Sequence, residues 1–249
     1  MKTIMLAAGV GSRLTGKDDS GLPKSLLQFD GQTLLERHIE NLIALGVEDL
    51  TLVVGYRADD LIAEIDRLGR RNFVRFVTND DYRRGSIVSL WAGRDTLTSG
   101  SDVLFMDADV LYHPALLSRL VNRDGSCFAF DRGFVPGDEP VKLCFRNGVP
   151  VEFRKKVEVD FDNVGEWPGF LTLAPEMAME VARITQAYMD QGRQDQPCEE
   201  VFRDVLLSAP QGAFTFEDVT GIPWIEIDFP EDISRAQDEI LPRIHTFAA

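Results

Sequence analysis

Two clusters of side chains in this chain are of the types that handle phosphate and metal ions. The first follows the opening apolar run, where "AAGVGSR" sets Gly9 and Gly11 ahead of Ser12 and Arg13. Glycines let backbone N–H groups approach an anion closely, and a cation at the end of such a loop closes over it. "LPKSL" adds a second cation, Lys24, at the far end of a hydrophilic segment, "LTGKDDSGL", that begins beside Arg13. The second cluster is Asp107 and Asp109 in "LFMDADVLY", two carboxylates at i and i+2 just past a run of strand character. Carboxylates beside a core strand are costly to bury without a cation, and a divalent ion meets that need. The opening loop departs from two common phosphate-binding fingerprints. A dinucleotide-binding Gly-x-Gly-x-x-Gly would need glycine where Leu14 stands, and the Gly-Lys-Ser/Thr of a P-loop is missing.

Rigid elements must carry both clusters, and the hydrophobic pattern supplies them. "KTIMLAA", "LTLVVGY", "VRFVTN" and "DVLFMDA" read as strands, separated by the helical patterns "TLLERHIENLIALG", "ADDLIAEIDRLG" and "GSIVSLWAGRDTL". In the first of these helices Leu34, Leu35, His38, Ile39, Leu42 and Ile43 share one face, which puts His38 at the edge of the core rather than in a ligand set. The alternation predicts an α/β fold, a Rossmann-like open sheet that is mixed but mainly parallel and flanked by helices. Ligands on open sheets bind at the carboxyl ends of strands, so "AAGVGSR" and "DADV" are expected along one edge.

Beyond Asp131 the texture changes. "EPVKLCFRNGVPVEFRKKVEV" reads as a hairpin about a tight "RNG" turn, "WPGFLTLAP" as a strand, and "EMAMEVARITQAYMDQG" as a helix. "GAFTFEDVTGIPWIEI" reads as strands leading to a last helix from "PEDISRAQDEIL". No Pro/Ser-rich linker or repeat divides the chain, so residues 1–249 are expected to form one domain. Its first half, 1–131, carries the glycine loop, and its second half, 132–249, completes the sheet and covers the ligand.

Charge narrows the partners. With 26 Lys+Arg against 41 Asp+Glu the formal net charge is −15, which repels nucleic acid and anionic lipid surfaces. A small anion could still bind where cations and N–H donors cluster. Cys127, Cys144 and Cys198 show neither a disulfide framework nor zinc-ligand spacing, and are expected to be buried free thiols. No signal peptide or membrane-length apolar run is apparent, so a cytoplasmic monomer or homodimer is expected.

"LAAGVGSRL" followed by "LPKSLLQFDGQTLLERHIENL" resembles the signature of the nucleotidyltransferases that activate sugar phosphates and phospho-alcohols. That resemblance implies a nucleotide-diphospho-sugar transferase, GT-A-like fold. It also implies a loop around base and triphosphate formed by Leu6, Ala7, Ala8, Gly9, Gly11 and Ser12, with Arg13 and Lys24 neutralising the phosphates. An aspartate at Asp107 or Asp109 would hold Mg2+, with a second from a late strand. Asp228 in "WIEIDFPEDISRAQ" is the candidate, because Glu231 and Asp232 read as charges in a first helical turn. An all-oxygen ligand set suits Mg2+ better than zinc.

"TNDDYRRGSIVSLWAG" is similar to a segment of the small cytidylyltransferases acting on phosphocholine, aminoethylphosphonate or inositol 1-phosphate, which implies nucleotide contacts by Asn79, Ser86 and Ser89. Lys142 in "EPVKL" resembles a strand lysine of the inositol phosphate branch; it faces an acceptor phosphate or is a surface lysine. The implied reaction is attack by an acceptor phosphate or phosphonate oxygen on the α-phosphorus of CTP, releasing pyrophosphate. The attacking oxygen is already ionised, so alignment and charge neutralisation suffice without a general base. An acceptor with an ammonium group would want aromatic faces and carboxylates, and Glu166, Trp167 and Phe170 in "GEWPGF", with Trp91, are the candidates. Asp138 and Glu139 add local negative charge. Strand alternation sends Glu166 and Trp167 to opposite faces unless Pro168 bends the chain, so core packing of Trp167 and Phe170 is the rival reading. Rival functions are an inositol 1-phosphate cytidylyltransferase, a sugar 1-phosphate uridylyl- or thymidylyltransferase, and a regulatory nucleotide-binding module. Arg13, Lys24, Asp109 and Asp228 together speak for turnover.

Overall fold

Thr3, Ile4 and Met5 are wholly buried at the centre of the first strand, as expected of a strand covered on both faces. The computed structural model describes residues 1–15 and 21–248, with the side chain of Thr15 left aside. The middle of the hydrophilic segment "LTGKDDSGL", residues 16–20, lies outside the described residues. Strands run β1 (Lys2–Ala7), β2 (Gln28–Phe29), β3 (Gln32–Thr33), β4 (Asp49–Val54), β5 (Val74–Thr78), β6 (Val103–Asp107), β7 (Val110–Tyr112) and β8 (Ser126–Phe130). They continue as β9 (Lys142–Arg146), β10 (Val149–Arg154), β11 (Asn163–Glu166), β12 (Phe170–Leu173), β13 (Phe214–Asp218) and β14 (Trp224–Glu226), and a single helical turn, α1 (Ser12–Thr15), follows β1.

Seven of these form one sheet in the order β13-β8-β12-β6-β1-β4-β5. β12 runs antiparallel to both its neighbours, and every other pair is parallel. The mixed, mainly parallel sheet of the sequence reading is therefore what the chain forms. Successive residues of β1 face opposite ways, so Ile4 and Met5 enter separate cores. Ile4 packs with α4 (Ser86–Ala92), α5 (Arg94–Leu97), α7 (Pro175–Asp190) and α8 (Glu199–Ser208), through residues such as Ile87, Leu97, Val181 and Phe202. Met5 packs with α2 (Leu34–Ala44), α3 (Ala58–Arg67) and α6 (Ala115–Val121), through Leu35, Ile39, Leu61 and Leu116. Thr33 caps α2 by accepting a hydrogen bond from the Glu36 N–H at 3.0 Å. All three cysteines are buried and free.

Four local features differ from the sequence reading. The single helix over "GSIVSLWAGRDTL" is broken at Gly93, where a Cβ would stand 2.3 Å from Ile4 Cδ1. Glu166 and Phe170 do not share a strand: Glu166 ends β11 and Phe170 begins β12. Helix α8, not anticipated, covers the sheet beside α7. The last helical stretch also divides, into α9 (Pro230–Arg235), a π-turn at Ala236–Ile240 and α10 (Leu241–Thr246). Among the described residues no helix is long and apolar enough to cross a membrane.

Candidate active site

From β1 the chain proceeds through β4 to β5 on one side, then returns to β6 on the other side of β1. The carboxyl ends of β1 and β6 therefore flank the point where the winding reverses, which is where open α/β sheets bind ligands. A cavity of about 330 Å³ opens there. Leu6, Ala7, Ala8, Gly9, Gly11, Ser12 and Arg13 line one wall, and Asp107 and Asp109 line the other. A Cβ on Gly9 would meet no atom within 4 Å, so a side chain at this position would occupy cavity space rather than strike protein. Gly11 has φ +69°, a left-handed conformation, and a Cβ there would press on Lys24 Cγ at 3.2 Å. Ser25 is buried on the same wall, and its Oγ has no partner among the described residues.

Beyond β6 the chain turns into β7, which pairs antiparallel with β14. Ile227 N donates to Asp109 O at 2.9 Å, extending this ribbon. Ile225 and Ile227 are buried in a third apolar cluster with Phe29, Leu111 and Ile240. Alternation then turns Glu226 and Asp228 the other way, toward Asp109. Carboxylate oxygens of Asp109, Glu226 and Asp228 lie within 4.8 Å of one another. Lys24 Nζ donates to Asp109 Oδ2 at 2.9 Å and Asp228 Oδ1 at 2.6 Å. Arg13 Nη2 reaches the same Asp228 oxygen at 2.8 Å, and Arg13 Nη1 donates to Glu139 Oε2 at 2.6 Å.

The electrostatics show a site short of positive charge. Burial works against the Lys24 ammonium, yet Asp109 and Asp228 outweigh it and hold its pKa above the ordinary value. Burial, then Asp109 and Glu226, push the Asp107 carboxyl well above the usual carboxylate range. Burial followed by Asp109 and Asp228 does the same to Glu226. Part of Glu226 still meets water, so the two neighbouring charges act beside burial in raising it. A divalent cation fits such a donor set, since all three clustered ligands are hard oxygens.

A second cavity, of about 600 Å³, adjoins the first, and Glu226 lines both. Asp131, Glu139, Glu166, Asp228, Glu231 and Asp232 give it a strongly acidic lining, with Arg235 and Arg243 as its basic members. Trp224, Phe134 and Phe229 supply aromatic surface. Asp131 is pinned by Trp224 Nε1 at 2.8 Å and by the Gly133 N–H at 2.7 Å. Burial first, then the adjacent Asp131, raises Glu166 to about 7.

Other predicted residues take different places. Ser86 and Ser89 line the first cavity; Asn79 lies beneath them, donating through Nδ2 to Ser89 Oγ at 2.9 Å. Ser86 Oγ also accepts from the Cys198 N–H at 2.8 Å, tying the start of α8 to the site. Trp167 is a core residue, packed against Phe105, Phe153 and Phe202 with Nε1 bonded to Phe170 O, and Phe170 is buried likewise. Trp91 bonds Gln186 on α7 and stacks on Arg94. Neither tryptophan lines either of these two cavities, and the tryptophan that lines the second with Glu166 is Trp224. Lys142 lines neither of them, and its ammonium donates to the carbonyls of Gly137, Pro140 and Lys155. Asp232 accepts from the N–H groups of Asp228 and Phe229, the helix-start role expected of it. His38 is buried between Tyr112 Oη and Ala108 O, outside the site. Glu226 was missed, although "EID" repeats the i, i+2 carboxylate spacing of "DAD".

Comparison with known proteins agrees with this geometry. The chain is 30% identical over 244 residues to a bifunctional IPC transferase and DIPP synthase of Rubrobacter xylanophilus, covering 95% of this chain and 51% of that one. It is 26% identical over 254 residues to a CMP-5'-(3-aminopropyl)phosphonate synthase of Streptomyces rubellomurinus, covering 97% of this chain and 39% of that one. The chain thus spans about half, or less, of the length of these relatives. Its fold is similar to that of the inositol-1-phosphate CTP transferase from T. maritima, with a TM-score of 0.75 at 21% identity, covering 100% of this chain and 97% of that one. The profile of the MobA-like NTP transferase domain matches residues 3–155, and with the glycine loop, Lys24 and Asp109 all inside that span, this chain belongs to the MobA-like NTP transferase family.

Proposed function

We propose that this protein is a Mg2+-dependent cytidylyltransferase that moves CMP from CTP to a small phosphorylated or phosphonate acceptor bearing a cationic group. The observation that carries the reading is the meeting of two cavities at one carboxylate cluster, faced by Lys24 and Arg13. The first cavity takes the nucleotide on the Leu6–Ser12 loop, with Ser86 and Ser89 opposite. Arg13 and Lys24 hold its phosphates. The second cavity takes the acceptor, and its acids and aromatic rings suit an ammonium group of the phosphocholine, phosphoethanolamine or 2-aminoethylphosphonate type. The names of the relatives, which include a phosphonate CMP synthase, support the same class of reaction.

In the step itself an ionised acceptor oxygen bonds to the α-phosphorus as the bond to the bridging oxygen of pyrophosphate breaks. The leaving group departs with that electron pair. Asp109, Glu226 and Asp228 would hold a divalent ion, which would supply Lewis-acid neutralisation of the phosphates. The chain contributes alignment across the two cavities and a cationic wall. Attack by an ionised oxygen asks for no side-chain base, and the wholly buried His38 offers none. Pyrophosphate release, measured over four NTPs and a panel of acceptors with Mg2+, tests the reading. CTP with phosphocholine, phosphoethanolamine or 2-aminoethylphosphonate is expected to give the highest kcat/KM. Preference for inositol 1-phosphate would overturn the acceptor class, and preference for UTP or dTTP with a sugar 1-phosphate would overturn both substrates.

A further inference from the structure

Arg13 belongs to the glycine loop, yet its contacts turn it toward the second cavity. Nη1 donates to Glu139, Nη2 to Asp228, and the guanidinium stands 5.5 Å from the centre of the Phe229 ring. All three partners line the acceptor cavity. To neutralise a nucleotide's phosphates in the first cavity, Arg13 must exchange partners. Asp228 has Lys24 as a second cation, whereas Glu139 joins the two cavities across 126 residues of chain. It stands on the stretch between β8 and β9, whose carbonyls at Gly137 and Pro140 are held by Lys142. The other cation at Glu139 is Lys155, 3.3 Å from the same oxygen.

We propose that Glu139 is a positioning residue that holds Arg13 until nucleotide phosphates take the guanidinium, and that this exchange turns its carboxylate over to the cationic end of the acceptor. The proposal rests on the cytidylyltransferase reading above. Both partners are partly exposed, at 43% and 54% of their side-chain surface, so the ion pair is weak enough for a polyphosphate to displace it. Each substrate thereby removes an obstacle to the other, and such coupling is reciprocal in the two affinities. Glu139 thus offers the acceptor a carboxylate that Arg13 no longer engages once a nucleotide is bound.

The test is titration of the unreactive analogue α,β-methylene-CTP with Mg2+ into the wild type, Glu139→Gln and Glu231→Gln, each with and without phosphocholine. Glu231 lines the same cavity and carries the same charge, so its variant separates the Arg13 pair from the general field. In the wild type phosphocholine is expected to tighten the nucleotide severalfold. Glu139→Gln should bind the nucleotide about two- to fivefold more tightly by itself, with the phosphocholine effect reduced to about onefold. Glu231→Gln should bind the nucleotide by itself as tightly as the wild type does. Unchanged coupling in Glu139→Gln, or an equal gain in Glu231→Gln, overturns the proposal while nucleotidyl transfer by the wild type stands. A wild type that binds no nucleotide and releases no pyrophosphate overturns the function and this proposal with it.

Discussion

Replacing Glu226 by Gln separates the stability of the site from its metal affinity. Oxygens of Asp109, Glu226 and Asp228 come within 4.8 Å of one another. Two unit charges at that distance repel by about 3 kcal/mol at an effective dielectric constant of 20. Lys24 offsets part of this, and the balance holds the Glu226 carboxyl above the usual carboxylate range. Glutamine keeps the shape and removes one of the crowded charges, so the metal-free variant should be no less stable than the wild type, to within about 0.5 kcal/mol. Metal binding reverses the comparison. At Mg2+ concentrations of about 100 times Kd the wild type gains roughly 2.7 kcal/mol, a Tm rise of about 5–10 °C for a chain of this size. With Kd raised about a hundredfold the variant gains roughly 0.4 kcal/mol, a rise of about 1–2 °C. Thermal unfolding at pH 7 with EDTA and with Mg2+ gives both quantities. Equal Mg2+ shifts in the two proteins, or a loss above about 2 kcal/mol in EDTA, would show that Glu226 is not a metal ligand of this cluster.

Burial lowers His38 to about 4, so it folds neutral. The unfolded chain binds the extra proton between about pH 6.5 and 4, and stability should fall by up to roughly 3 kcal/mol as pH drops through that window; an NMR titration placing His38 near 6.5 would contradict this. Glu166, raised to about 7, gains charge as pH rises, so KM for phosphocholine should fall between pH 6 and 8 and the profile should flatten in Glu166→Gln. A profile unchanged by the substitution would remove Glu166 from the acceptor site. Trp224→Leu should raise the phosphocholine KM about two- to thirtyfold with CTP affinity unaltered. Trp167→Ala, in contrast, should cost about 3–5 kcal/mol of stability without altering the order of acceptor preference, both read by denaturation and a substrate panel.

The parts of the site most visible in the sequence are those where backbone geometry dictates residue type. Gly9 and Gly11 are visible because a loop that admits phosphate has no room for side chains, and Asp109 because a carboxylate at the end of a core strand demands a partner. The parallel core follows from apolar runs too continuous for a sheet with one wet face. Aromatic residues are less legible. Trp91, Trp167 and Trp224 look alike in a sequence, and only the packing of α7 and α8 sends two of them elsewhere and leaves Trp224 beside Asp131. The place of Lys142 is hidden for a related reason, since the carbonyls it binds come from two separate loops. Glu226 was within reach: its alternation with Ile225 and Ile227 puts it on the face that carries Asp228.

On the proposed function the nucleotide's α-phosphate passes to the acceptor across the Asp109–Glu226–Asp228 cluster. Supplying CTP labelled at the α-phosphorus, with Mg2+ and phosphocholine, follows that transfer atom by atom. Label is expected in a CDP-linked product, with unlabelled pyrophosphate in equal amount and loss of both in Asp228→Ala. Label recovered as free CMP or on the protein, or a product formed as fast by Asp228→Ala, would contradict it.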